Sequence, residues 1–444
     1  MKRRHGFTLV ELLVSMALII FIMAILSQAF VAATATFRNL KAAGDMAEKL
    51  RATTQLLQRD LSADHFEGKK RLSDQNFWNN GPPQQGYFQV WQGSAGTPEG
   101  TDLNGIGSYR STDHTLAFTI KLRGNQMGDF LTAGSPTVVN PWGTPPTISL
   151  ASLIPFYPQQ TPPPTLQSLT FAGESRYQVN TAANPTYSYQ WGEVAWFMQP
   201  SINPATLQQD TTAPDPVTGA APVPLYTLYR RQRLAVLDNS LVPPQTTATL
   251  TANQLMEWSC WPNTANTPNT WYFNSPADLT APNRRFGGVT NPPGFSAIPQ
   301  GLSGLSGSDV QLTDVVSFDV RLLILPLQGV DIPGSVDPFV TLQTTNPTTG
   351  ANVFLGYQNR NPTYDPAGTG SFVFDTWTSV SDSLQNYSQW NVPSTPTNPN
   401  TVAIPLWNGG LTPPAPIVLA IQISIRVWDS KTNLTRQVTM VQAM

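Results

Sequence analysis

One cysteine is all the sequence has, and Cys260 alone excludes an intrachain disulfide and a cysteine-based metal cluster. Set between Trp258 and Trp261, it reads as a small buried hydrophobe. Charge is scarce as well: 12% of the 444 residues are charged, and the net charge is −2. A nucleic-acid interface needs a strongly basic face, so no nucleic acid is expected as a partner. Histidine is nearly absent, with only His5, His65 and His114. His65 and His114 read as solvated loop residues rather than ligands or bases. No HExxH, GxSxG elbow, phosphate loop or EF-hand sequence occurs. Gly301–Gly307 is glycine-rich but lacks the lysine of a phosphate loop. Asp314, Asp319 and Asp375 match no calcium-loop spacing and read as solvated strand positions. No enzyme activity, catalytic residue, cofactor or metal is therefore expected.

Proline is withheld from one end. The chain has 41 prolines, yet none precedes Pro82. Residues 12–37 carry no charge, whereas residues 38–71 carry thirteen. The expected organisation is a leader at 1–6, an apolar helix at 7–37, its amphipathic continuation at 38–63, and a body at 64–444. The body's abundance of Pro, Thr, Asn, Gln and Ser suits an extracytoplasmic protein.

The leader runs Met1, Lys2, Arg3, Arg4, His5, Gly6. As a helix, the uncharged stretch would span roughly 39 Å, more than a hydrocarbon core of about 30 Å. The basic leader predicts a cytoplasmic amino end and an external body. Three readings compete: a plain membrane anchor, a secretory signal cut near Ala33-Thr34-Ala35, and a prepilin. A secretory apolar core is about 7–15 residues, shorter than this run. Only the prepilin accounts for a glycine closing the leader and a carboxylate, Glu11, inside an apolar face. That carboxylate costs a few kcal/mol in a bilayer and so needs a task or a partner.

Gly6-Phe7-Thr8-Leu9-Val10-Glu11-Leu12-Leu13-Val14 resembles the class III signal of type IV pilins and type II secretion pseudopilins. The resemblance implies cleavage after Gly6 by prepilin peptidase and methylation of the new amino terminus at Phe7. It also implies that Glu11 pairs with a neighbouring subunit's terminal amine during assembly.

Beyond Arg38, Leu40, Ala43, Ala47, Leu50, Thr54, Leu57 and Leu61 recur three and four apart, predicting one buried helical stripe. Gly44 reads as tolerated. Alternation over Thr115–Leu122, Asp314–Leu325 and Ile417–Val427 predicts strands. Further candidates are Glu193–Met198, Leu225–Leu237, Ser371–Asp375 and Arg436–Val441. Proline-rich stretches at 136–165, near 200–224, and at 262–300, 326–368 and 391–416 read as loops. Trp78, Trp91, Trp271 and Trp377 suit either sugar stacking or a core. The fold class is α+β, a long N-terminal helix packed on an antiparallel sheet with long Pro-rich insertions.

The body resembles J-type minor pseudopilins and W-type minor pilins at Leu57-Gln58-Arg59-Asp60-Leu61, Val194–Phe197 and Leu228-Tyr229-Arg230-Arg231. Asp314–Arg321, Ile417–Asp429 and Thr435–Thr439 extend the likeness. In length the chain is similar to very large prepilin-like cassette proteins of Verrucomicrobia. The resemblance implies a minor subunit that initiates, builds or caps an envelope filament, either a type II secretion pseudopilus or a type IV pilus. Its partners would be prepilin peptidase, other pilin-like subunits and the inner membrane. It would span that membrane once, with its body in the periplasm or on the cell surface. The alternative is a membrane-anchored adhesion or glycan-binding protein using the same export route.

Overall fold

The computed structural model describes residues 8–74, 83–92, 97–101, 107–124, 129–134, 186–213, 222–236, 245–246, 257–263, 270–281, 284–285, 309–325, 339, 343–345, 352–354, 357–359, 371–376, 417–430 and 432–444. Helix α1 runs unbroken from Leu9 to Ser62, 54 residues or roughly 81 Å. Without proline in this stretch, every backbone donor after the first turn finds its partner four residues back. Gly44 lies inside the helix, and a Cβ there would meet open space.

Nine strands form one antiparallel sheet. They are β1 (Phe88–Gln92), β2 (Thr115–Lys121), β3 (Trp191–Pro200), β4 (Tyr226–Leu234), β5 (Val310–Leu325), β6 (Tyr357–Asn359), β7 (Ser371–Asp375), β8 (Ile417–Asp429) and β9 (Leu434–Ala443). Their spatial order is β6-β7-β1-β2-β3-β4-β5-β8-β9. The α+β class expected from the sequence is the observed one. Alternation placed β2, β5 and β8; the register sets Phe118 opposite Val194 and Phe318 opposite Ile425.

Several expectations are corrected. In β8, Ile421, Ile423, Ile425 and Val427 are buried as the alternation predicts, but Val418 and Ala420 replace Ile417 and Leu419. A register shift opposite Leu323 and Ile324 skips Leu419, and one extra residue reverses which side chains point inward. On α1 the buried residues are Ala42, Met46, Leu50, Thr53, Leu57, Asp60 and Leu61, so the stripe is rotated from the expected one. Leu40 is exposed, because the sheet begins to cover the helix only at Ala42. Thr270–Phe273, Gln343–Thr345, Asn352–Phe354 and β6 are short strands within stretches expected to be loops. Residues 136–165 and 391–416 lie outside the described residues.

The chain leaves α1 through His65 and Phe66 and reaches β1 at a tight approach. Gly86 there has φ +83°, and a Cβ would lie 2.1 Å from the His65 carbonyl oxygen. No other residue type fits that position.

Candidate functional site

Helix α1 has two halves with different surroundings. From Leu9 to Lys41 no residue is buried, and Leu9, Phe30 and Phe37 stand out as exposed apolar side chains. From Ala42 onward the helix lies on the sheet, chiefly against β9, β5 and β8. The free half is long and apolar enough to cross a membrane.

Thr8 caps the helix and Glu11 completes a capping box. The Glu11 N–H donates to Thr8 Oγ1 at 3.3 Å, while Thr8 N–H and Oγ1–H both donate to Glu11 Oε2 at 3.0 Å. In the single chain the carboxylate is thus folded back on its own helix end. The T-x-x-E spacing carries that signal in the sequence. Gly6 and Phe7, the expected cleavage and methylation residues, lie outside the described residues.

At the other end of α1, three segments far apart in the chain meet. Asp60, on the packed face, is closed from solvent. Arg230 of β4 grips it with two hydrogen bonds, Nε to Oδ2 at 2.6 Å and Nη2 to Oδ1 at 2.8 Å. Trp196 of β3 donates its indole N–H to Oδ2 at 3.1 Å. A buried carboxylate is tolerable only when paired and fully hydrogen-bonded, and here both oxygens are used. The stripe expected from sequence left Asp60 on the outside. Its partners are too distant in sequence for spacing to reveal them.

The opposite sheet face holds a second buried network. Glu193 and Trp196 differ in parity along β3, so their side chains point to opposite faces. Glu193 accepts from Tyr87 Oη at 2.9 Å and from Ser259 Oγ at 2.9 Å. Arg285 pairs with Asp375 at 2.6 Å, lies 3.9 Å over the Tyr87 ring, and donates to the Leu279 and Thr280 carbonyls. Burial and the Glu193 charge push the Tyr87 phenol well above its usual range. These contacts pin Ser259, Leu279, Thr280 and Arg285 to the sheet.

The carboxylates considered for calcium are not brought together. Asp375 is bound to Arg285 and Gln89, and Asp319 to Arg321 and Ser111. Both are buried, contrary to the expected strand-face solvation, because each has an arginine to neutralise it. Asp314 sits at φ +58°, where β5 shifts register against β4. Cys260 is buried as expected, and burial pushes its thiol up to about 12. Trp91 belongs to the core and Trp271 packs against it; Trp78 and Trp377 lie outside the described residues.

Both histidines overturn the expectation of solvated loops. His65 is buried among Phe66, Phe88 and Phe118, with Nδ1 2.8 Å from the Thr119 carbonyl and Nε2 3.2 Å from that of Leu61. His114 is buried with Nδ1 accepting the Val320 N–H at 3.0 Å. Burial lowers the pKa of both, although Asp60 and Asp64 oppose this at His65, and Asp113 and Asp319 at His114. The unfolded chain therefore binds protons first. Stability is full above the unfolded value of about 6.5 and falls as pH drops below it, by at most about 1.4 kcal/mol per pH unit for each histidine. Urea unfolding of detergent-solubilised protein at pH 7 and 5 should show this loss. It should shrink in His65→Gln/His114→Gln, and an equal loss in that variant would assign the effect to carboxylates instead.

Residues 1–27 match the family model of the prokaryotic N-terminal methylation motif. The amino terminus is of the prepilin type. That match covers the leader and the start of the free half of α1, the two places where Gly6, Phe7 and Glu11 stand. Comparison with curated proteins and with solved structures gives no match. A prepilin-type terminus implies processing by prepilin peptidase and assembly with pilin-like subunits in general, and the exposed apolar half fits a single-pass anchor.

Proposed function

We propose that the protein is a minor, non-enzymatic subunit that initiates, builds or caps an envelope filament, of the pseudopilus or type IV pilus kind. The observation that carries this reading is a prepilin-type motif heading a helix whose first half is wholly free and whose second half is bound to its own sheet. A free apolar half serves both as membrane anchor and as bundle-forming element. The J-type and W-type likeness gains support from Asp60, Trp196 and Arg230: three of the resembling segments meet at one buried contact. A non-enzymatic role is supported by Glu193, Asp319 and Asp375, whose carboxylates are buried and engaged with neighbouring side chains. The large head suits a tip, where one side is free of neighbours.

Mass spectrometry of sheared filaments and membranes tests this reading. The mature chain should begin at Phe7 with a methylated amine, and should be present in far fewer copies than the principal subunit. A terminus at Thr36 would make the segment a secretory signal. An intact Met1, or absence from the filament, would favour the anchored adhesion protein. If the chain is the most abundant subunit, it is a major pilin.

A further inference from the structure

The two edges of the main sheet are built differently. β6 is three residues long, whereas β9 is ten and follows β8 without a register shift from Ala420 opposite Ala443 to Asp429 opposite Leu434. Edge strands usually escape further pairing by being short, bulged, charged or broken by proline. Apart from Arg436, β9 has none of these features. Among the described residues it has a strand on one side only. Met444 N–H donates to the Leu419 carbonyl, so by antiparallel alternation the backbone groups of Thr435, Gln437, Thr439 and Val441 point away from β8. Beside β9, a groove runs along α1, lined by Leu50, Arg51 and Thr54 of the helix and Arg436 and Val438 of the strand.

We propose that β9 accepts an added strand, an acidic extended segment from a different prepilin-type subunit, whose side chains enter the α1–β9 groove. This deepens the filament reading and rests on it. The groove's charged side chains are Arg51 and Arg436, so a carboxylate is the complementary group. A second copy's β9 does not fit. Joining two β9 strands antiparallel places a two-fold axis through the sheet, which reverses the helix lying on its face. The two free apolar halves would then point in opposite directions and could not enter one membrane. Parallel joining would leave the two helices on opposite faces of one continuous sheet, where they cannot bundle. A different chain is under neither constraint, and strand addition supplies affinity through the backbone and choice of partner through alternate side chains.

The test uses the full chain in its own membranes. A photo-crosslinking side chain replaces Val441, and the linked peptide is identified by mass spectrometry. Linkage to an acid-bearing segment of a different chain with a prepilin-type terminus supports the inference. Linkage to β9 of a second copy, to lipid alone, or to nothing overturns it. Thr439→Pro removes an outward N–H without touching the β8 ladder, so it should lower this cross-link and filament recovery about tenfold, with Thr439→Val within about twofold. Unchanged recovery in Thr439→Pro overturns the inference. If that variant fails to fold, Arg436→Glu takes its place: it should lower the same cross-link by reversing a charge in the groove, and an unchanged cross-link overturns the inference. Should Glu11→Leu abolish incorporation while the β9 variants do not, only the β9 inference fails; if the unaltered chain is itself absent from filaments, the filament reading fails too.

Discussion

Glu11→Leu is expected to give a folded, membrane-inserted protein whose recovery in filaments drops about a hundredfold. The head is unaffected, since from Leu9 to Lys41 no residue is buried against it. Insertion becomes easier, because a charge leaves the apolar segment. On the pairing that the prepilin resemblance implies, assembly would lose the partner of a neighbour's terminal ammonium, and a charge stranded in a low-dielectric bundle costs several kcal/mol, against about 2.8 kcal/mol for a hundredfold change. The capping box supplies a control. Glutamine at position 11 still closes a box with Thr8 but carries no charge. If Glu11→Gln fails like Glu11→Leu, the charge is responsible; if only the leucine variant fails, the cap is. Normal assembly of both would leave the pairing idea without support.

Asp60→Ala should destabilise the head by about 3–5 kcal/mol, the largest loss expected from any single change in it. Arg230 would keep its charge in a site only 11% exposed, and the Trp196 N–H would lose its acceptor. Urea unfolding of the detergent-solubilised protein measures the loss. Asp60→Leu with Arg230→Met, which fills the space with apolar groups, should recover most of it, since the cost lies in the unpaired charge. A loss below about 1 kcal/mol for Asp60→Ala would mean that water reaches the pair and that the helix is held by apolar contacts alone.

The elements legible in the sequence are those whose apolar residues recur at a regular interval. Helix α1 announces itself through missing prolines, and β2, β5 and β8 through alternation. β1 gives no such signal: all five residues from Phe88 to Gln92 are buried, and Gln89 and Gln92 spend their amides on Asp375 and the Val320 carbonyl. Burial on both sides does not by itself hide a strand, since Thr115–Ile120 of β2 are all buried too; there Leu116, Phe118 and Ile120 recur at every second position, whereas β1 is too short to show a period. Distance along the chain hid the buried charges. Asp60 and Arg230 are 170 residues apart, and neither His65 nor His114 sits in an apolar run. Each looks like a surface residue until its partner is placed. Glu11 stands out in the sequence because its charge is alone among apolar neighbours, and the structure adds its capping box with Thr8.

A continuous α1 also makes the subunit a mechanical part. Tension on the head travels down one rod and reaches the sheet along the stretch from Ala42 to Leu61, parallel to that contact rather than across it. Load applied this way is shared by the whole packed stripe at once, where a crosswise pull would open it one side chain at a time. With no hinge between anchor and head, a bend at the membrane becomes a swing of the entire body. In the proposed filament the head would therefore be carried as a stiff outrigger, pointed by turning the helix.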